Sequence, residues 1–479
     1  MSVIVWFRND LRLFDNPALH YAAQYSKKQL HLVYISPENK EESLGSASKW
    51  WLHQSLLALQ EDIQSRGGSL ILRRGSHQDV LEGLVYETKA NALFWNRRYD
   101  PEGLSCDKKI KEYFKNKGLS VYSFNACLLF EPWDIKNKSG KPFQVFTPFW
   151  KECQRLLQEH IPAPTPPVLR AHAQNLYSLS VFDLCGHPSS SPDWSAGLRK
   201  AWIPGEKGAH RLFDHFIDNH LKDYGRKRDY PSLACTSRLS PHLRFGEISV
   251  KWIVHRCHQL AVTESTLNES IHSFLRELGW REFAHHLLYH FPNITTHPLR
   301  KEFSKMPWED DETAMKAWQK GQTGYPLIDA GMRQLWQTGW MHNRVRMLVA
   351  SFLIKDLLID WRKGAAWFWD TLVDADLANN TASWQWVAGC GADAAPYFRI
   401  FNPTLQSLKF DPEGHYIRQY VPELAKLPKE FIHTPWEAPS DVLSKANIKL
   451  DTTYSSPIVD HDDCRKKALE IFRTIRTPL

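Results

Sequence analysis

The chain has 479 residues, 24% of them charged, with 60 basic against 53 acidic side chains and a net charge of +7. That length accommodates two domains with a substantial core, and the small positive surplus points to a local basic patch facing a polyanion rather than to a chain that is basic throughout. Eight cysteines without a C-x-x-C spacing give no sign of a disulfide framework or a zinc or iron–sulfur site, and no apolar run approaches the 18 residues of a membrane span.

The opening MSVIVWFRNDLR lacks the basic and apolar regions of a signal peptide and reads directly as a strand, so a soluble, cytoplasmic protein is expected. Strands are predicted at VIVWF (3–7), LHLVYI (30–35), SLILRR (69–74), NALFWNRR (91–98) and LSVYSF (119–124), with helices between them. The first helix opens at Asp15-Asn16-Pro17, a capping residue followed by proline. Residues 1–130 therefore read as a parallel α/β domain. No G-x-G-x-x-G follows the first strand and no G-x-x-x-x-G-K-[ST] occurs, which removes the main support for dinucleotide and nucleoside-triphosphate folds. Residues 131–205, rich in Pro, Gly and Ser (KNKSGK, IPAPTPPV, GHPSSSPDW), read as a long surface connector. From 206 to 479 the pattern is helical with many short breaks.

Four segments of the helical part carry chemistry. TSRLSPHLRFGEIS (236–249) sets Thr236, Ser237 and Ser240 around Arg238 before a helical run, an anion site or plain capping. In SIHSFLRELGWREFAHHLLYH (270–290), Glu277, Trp280 and Arg281 share one helix face, so the carboxylate is either paired with Arg281 or aimed at a ligand. His286 and His290 are spaced i, i+4, and His255 and His258 i, i+3; neither pair has a third ligand, and no metal is expected. Asn343 and Met347 share a face beside Arg346, which has Asp374 and Asp376 as prospective partners. They are a polar interior pair or a surface that reads flat polar edges and rings. The run from Gly339 to Pro403 is studded with tryptophans, among them Trp340, Trp361, Trp384 and Trp386, where leucine and valine would serve an ordinary core. Within it GCGADA (389–394) matches G-x-G-x-x-A only formally, because it follows no strand.

Together, VWFRNDLRLFDNPAL, TSRLSPHLRFGEIS, ELGWREF, WQKGQTGYPLIDAGMRQLWQTGWMHNRVRM and WQWVAGCGADAAPYFRIFNP resemble the photolyase and cryptochrome family over essentially the whole chain, and within it the microbial members that repair cyclobutane pyrimidine dimers. The resemblance implies a five-stranded, parallel, Rossmann-like α/β antenna domain joined by a long loop to a larger all-helical domain that holds FAD. Carried over by position, Tyr224, Thr236, Ser237, Arg238, Leu239 and Ser240 correspond to the phosphate and ribityl region of the flavin. Arg281, Trp340, Asn343, Arg346, Asp374, Asp376 and Asn380 correspond to the rest of its pocket, with Asn380 at flavin N5. Glu277, Trp280, Asn343, Met347 and Trp386 correspond to the lesion pocket, and Arg228, Arg281 and Arg399 to clamps on flanking phosphates. Trp384, Trp361 and Trp308 correspond to an electron wire from the surface.

The implied activity is light-driven dimer repair in UV-damaged DNA by electron transfer from fully reduced FAD, with Glu277, Asn343 and Met347 at the reacting bases. The rival readings are a cryptochrome photoreceptor and a (6-4) photolyase. The latter resembles this chain less, because its histidines stand where Asn343 and Met347 are here. The antenna chromophore implied is a methenyltetrahydrofolate or a deazaflavin, with Glu102 as the residue offered to folate. A monomer is expected.

Overall fold

The computed structural model describes residues 2–26, 29–38, 44–166, 169, 176–185, 193–394 and 399–476; the stretch GHPSSSP, part of the predicted connector, lies outside them. The chain divides into two compact units, one of Met1–Lys222, Ser237–Pro292 and Val373–Asp376, the other of Asp223–Thr236, Asn293–Leu372 and Leu377–Leu479.

In the first unit, five strands, β1 (Ser2–Phe7), β2 (Gln29–Ser36), β3 (Leu70–Arg74), β4 (Ala92–Asn96) and β5 (Ser120–Phe124), form one parallel sheet in the order β3-β2-β1-β4-β5. Each predicted strand is present to within about two residues. They were readable because parallel strands buried on both faces are continuous apolar runs, and Val3 to Phe7 are all at most 1% exposed. The helices α1 (Pro17–Tyr25), α2 (Ser46–Gln64), α3 (His77–Thr88) and α4 (Pro101–Asn116) cross over between strands. Asn16 caps α1, its side chain accepting from Leu19 N at 3.1 Å, and Asp100 caps α4, accepting from Gly103 N at 2.6 Å. Glu102 stands exposed in the first turn of α4.

The same unit contains α5 (Phe146–Leu156), α6 (Ser240–Arg244) and the 23-residue α7 (Asn268–His290). Helix α5 falls in the stretch read as connector, yet Phe146, Phe149, Trp150 and Cys153 on one of its faces are buried.

The described residues of the second unit are chiefly helical and contain α8 (Pro326–Thr338), α9 (Asn343–Ser351), α10 (Trp361–Thr371), α11 (Leu377–Ala388) and α12 (His461–Arg476). Helix α8 ends at Gly339, whose φ of 65° suits a residue without a Cβ. Helix α9 runs on through a π-helical turn, Phe352–Asp356. Among the described residues no helix is long and apolar enough to cross a membrane, and no cluster of three or more His, Cys, Asp or Glu is arranged to hold a metal.

Candidate functional site

In the first unit Arg238 adopts a left-handed backbone (φ 51°) and its guanidinium lies 4.2 Å from the Trp202 ring centroid. Such a conformation is uncommon for a residue with a Cβ, and here it sits inside the hydroxyl cluster. Ser237 Oγ accepts from Leu239 N at 3.5 Å, Leu239 is buried, and Ser240 is exposed at the start of α6. From α6, Arg244 Nε donates to Ala375 O at 2.7 Å, which fixes the short segment carrying Asp374 and Asp376. Asp374 is 8% exposed.

Helix α7 places Glu277, Trp280 and Arg281 along one side, all half-buried. The guanidinium of Arg281 donates to Cys127 O at 2.8 Å and lies 3.3 Å from Glu282. One face of Trp280 is covered by Phe146, with ring centroids 3.7 Å apart and planes 8° from parallel.

The carboxylate at the next position, Glu282, is buried and accepts from Leu129 N at 2.9 Å and Phe130 N at 3.4 Å. Burial pushes its pKa up to about 7, opposed by Arg281 and those amides. Sequence reading passed over Glu282, although it continues the apolar stripe Ile271, Leu275, Leu278, where a charge is conspicuous. His285 lies 3.6 Å from Asp376, and burial draws its imidazolium pKa down to about 4 against the pull of that carboxylate. Two further histidines of α7 have backbone partners: His286 Nε2 accepts from Phe143 N, and His290 Nε2 lies 3.1 Å from Pro132 O.

In the second unit Tyr224 is buried beneath Arg228, 5.2 Å from its ring centroid. Arg344 pairs with Asp229 at 2.6 Å. Helix α9 turns Val345, Leu348 and Val349 inward, whereas Asn343 is exposed and Met347 half-buried. Arg346 donates to Met341 O at 2.7 Å and lies 5.8 Å from the ring of Trp340, which is 9% exposed. Asn380 donates from its amide nitrogen to Ala365 O at 3.0 Å, and its carbonyl oxygen has no hydrogen-bond partner among the described residues.

Trp384 is 2% exposed, with Phe368 at 5.0 Å and Trp318 at 6.4 Å, both edge-on. Trp361, also buried, begins α10 behind its cap Asp360. Trp308 is half-buried and precedes Glu309, which bridges Ile359, two residues before Trp361. Two of the three indoles are thus buried, and Trp308 is the one that reaches partly into solvent. Trp386 is half-buried and donates to Asp393 O at 3.2 Å.

Between Trp384 and Trp386, buried Gln385 donates to Ile294 O at 2.7 Å and His297 O at 2.8 Å and accepts from Leu299 N at 3.0 Å. It too was missed by sequence reading, although it lies on the buried stripe of Ala378, Thr381 and Ala388. Arg399 is exposed, and its carbonyl accepts from the buried Lys355.

Residues 3–167 match the family described as DNA photolyase, and residues 274–474 match the FAD binding domain of DNA photolyase. The chain is 49% identical over 476 residues to a deoxyribodipyrimidine photo-lyase of Agrobacterium fabrum, covering 99% of this chain and 98% of that one. It is 40% identical over 476 residues to cryptochrome-2 of Arabidopsis thaliana, covering 97% of this chain and 78% of that one. Among solved structures, a bacterial class III photolyase from Agrobacterium tumefaciens superimposes with a TM-score of 0.95 at 48% identity, covering 99% of this chain and 98% of that one.

Proposed function

The chain belongs to the DNA photolyase family, and we propose that it binds FAD and repairs cyclobutane pyrimidine dimers in UV-damaged DNA as a light-driven deoxyribodipyrimidine photo-lyase. The observation that carries the lesion reading is the α7 face on which Glu277, Trp280 and Arg281 stand side by side, all half-buried, with one face of the Trp280 indole backed by Phe146.

The residues fit the cofactor. The hydroxyls of Thr236, Ser237 and Ser240 and the guanidinium of Arg238 are donors suited to its phosphates, beside Tyr224 and Leu239. Asp374 and Asp376 are acceptors suited to ring N–H and ribityl O–H groups, and Arg281, Trp340, Asn343 and Arg346 complete the set. Asn380, whose amide nitrogen is held by Ala365 O and whose carbonyl oxygen has no hydrogen-bond partner among the described residues, is the residue offered to N5. Bound, reduced and illuminated, FAD would lend the electron that opens the cyclobutane ring and take it back from the separated pyrimidines, so that repair carries no net change of oxidation state.

The remaining steps belong to the chain's own side chains. Glu277, in the protonated form that this role requires, donates to the pyrimidine carbonyls where negative charge develops. Trp280 and Trp386 wall an extruded dimer that is already poorly stacked, with Asn343 and Met347 against its polar edges and ring. Arg228, Arg281 and Arg399 hold flanking phosphates, a contribution that is blind to sequence and weakened by salt. When the flavin has become oxidised, Trp308, Trp361 and Trp384 relay an electron inward from a reductant in solution to restore it.

A methenyltetrahydrofolate antenna held in part by Glu102, in preference to a deazaflavin, completes the reading. So does a monomeric protein working in the cytoplasm. The absorption spectrum of the freshly purified protein identifies the antenna.

The decisive experiment illuminates the reduced protein with dimer-containing and (6-4)-containing oligonucleotides in parallel. Restoration of the dimer substrate alone is expected. Restoration of neither favours a photoreceptor, and restoration of the (6-4) substrate overturns the lesion assignment.

A further inference from the structure

We propose that Phe146 is a positioning residue for lesion recognition, acting through Trp280 to make the indole a fixed wall with one usable face. This rests on the lesion reading of Trp280 given above and adds a residue from outside the motifs that carry that reading.

Helix α5 docks on α7 through Phe146, Phe149, Trp150 and Cys153, which share one face at i, i+3, i+4 and i+7. Their counterparts on α7 are Gly279, Trp280, Phe283 and His286. Phe149 lies 5.1 Å from Phe283 and 5.0 Å from His286. At Gly279 a Cβ would come within 2.6 Å of Trp150 Cε3, so the two helices meet where a side chain is missing. That close approach brings Phe146 over Trp280 at 3.7 Å and 8°. Phe283 stands edge-on to both rings, at 5.9 Å and 69° to Phe146 and at 6.0 Å and 72° to Trp280. Isolated aromatic pairs favour offset or edge-to-face arrangements over one so nearly eclipsed. The surrounding packing, rather than the attraction of two rings, therefore holds this stack.

The consequence falls on Trp280. Phe146 is 1% exposed and Trp280 half-buried, so the indole face toward Phe146 is covered and what is accessible of the ring lies away from Phe146. A tryptophan on a helix surface samples several orientations about its two side-chain torsions. Backed by Phe146 and flanked by Phe283 it keeps one, and the cost of ordering it is met in folding rather than in binding. A planar, unstacked pyrimidine dimer is the ligand whose capture depends on such a wall. Undamaged duplex, held through its phosphates, does not depend on it.

The test compares parent, Phe146→Leu and Phe146→Tyr, each loaded with flavin to the same extent, in binding to one duplex with and without a single cyclobutane dimer at fixed salt. Phe146→Leu keeps an apolar group in the core but removes the flat surface. Its Kd for the dimer duplex should rise about tenfold while its Kd for undamaged duplex stays that of the parent. Phe146→Tyr, which restores a ring, should bind both duplexes as the parent does. Parent-like discrimination in Phe146→Leu overturns the inference, and so does an equal loss for both duplexes, which would mark Phe146 as general packing. Should the parent itself fail to prefer the dimer duplex, it is the lesion reading that falls, and that result is visible before any variant is made.

Discussion

Trp384 leaves no room for a side chain at position 364: a Cβ on Gly364 would lie 2.2 Å from Trp384 Cη2 and 2.6 Å from Leu353 Cδ2. Gly364 is in the interior of α10, where glycine is otherwise a weak choice. Its presence is explained by the indole that lies against it. Gly364→Ala must displace Trp384 or α10, and overpacking of this kind costs about 1–3 kcal/mol. Thermal unfolding should show the loss, and the displaced indole should slow photoreduction of oxidised flavin. An alanine variant with parental stability and photoreduction would mean that the helix yields freely.

Trp308 is the outermost member of the proposed wire, and the bridge between Glu309 and Ile359 holds it next to the segment leading into Trp361. Trp308→Phe should reduce photoreduction of oxidised flavin to background while leaving repair by chemically pre-reduced protein intact. Photoreduction at the parental rate in this variant would exclude the route through Trp308.

Glu277 is assigned to the charge that develops on the dimer rather than to holding it. Glu277→Ala should therefore lower repair per bound dimer by roughly tenfold or more, the scale of losing one preorganised donor, with a smaller change in DNA affinity. The comparison of repair quantum yield with Kd checks this. A variant that repairs each bound dimer as well as the parent would remove the assignment.

Glu282 supplies a pH signature. Burial raises its carboxyl from an ordinary 4.5 to about 7. Between those values the folded chain retains a proton that the unfolded chain has lost, so this residue's contribution makes stability fall as pH rises through that window. Glu282→Gln cannot ionise. Its stability relative to the parent should climb from about pH 4.5 to 7, by on the order of 3 kcal/mol, and then level off. The buried His285, His286 and His342, whose imidazolium pKa values burial lowers to about 4, act with the opposite sign in both proteins and cancel in the difference. Urea unfolding at a series of pH values measures it, and a difference independent of pH would contradict the assignment.

What the sequence disclosed, and what it hid, follows from how each feature is encoded. The sheet was legible because VIVWF and LHLVYI are apolar on both faces, and α1 because Asn16 and Pro17 announce its start. The side of α9 that bears Asn343 and Met347 was legible from spacing alone, since i and i+4 share a face. Helix α5 was hidden by the turn-forming residues around it, although its buried face, Phe146, Phe149, Trp150 and Cys153, is regularly spaced. Glu282 and Gln385 were hidden for another reason. A polar residue on a helix reads as solvent-facing until the apolar stripe it interrupts is traced, and its partners, Leu129 and Phe130 for one and Ile294, His297 and Leu299 for the other, are remote in sequence. Gly364 gave no signal, because the need for a missing side chain lies in the ring that occupies its place.

The amide of Gln385 is clamped on three sides, and its immediate neighbours along α11 are an indole proposed to conduct and an indole proposed to grip. Refuelling and grasping therefore share a single mooring. A shift of the backbone at this point carries both rings with it, so neither can be re-aimed along the helix without the other.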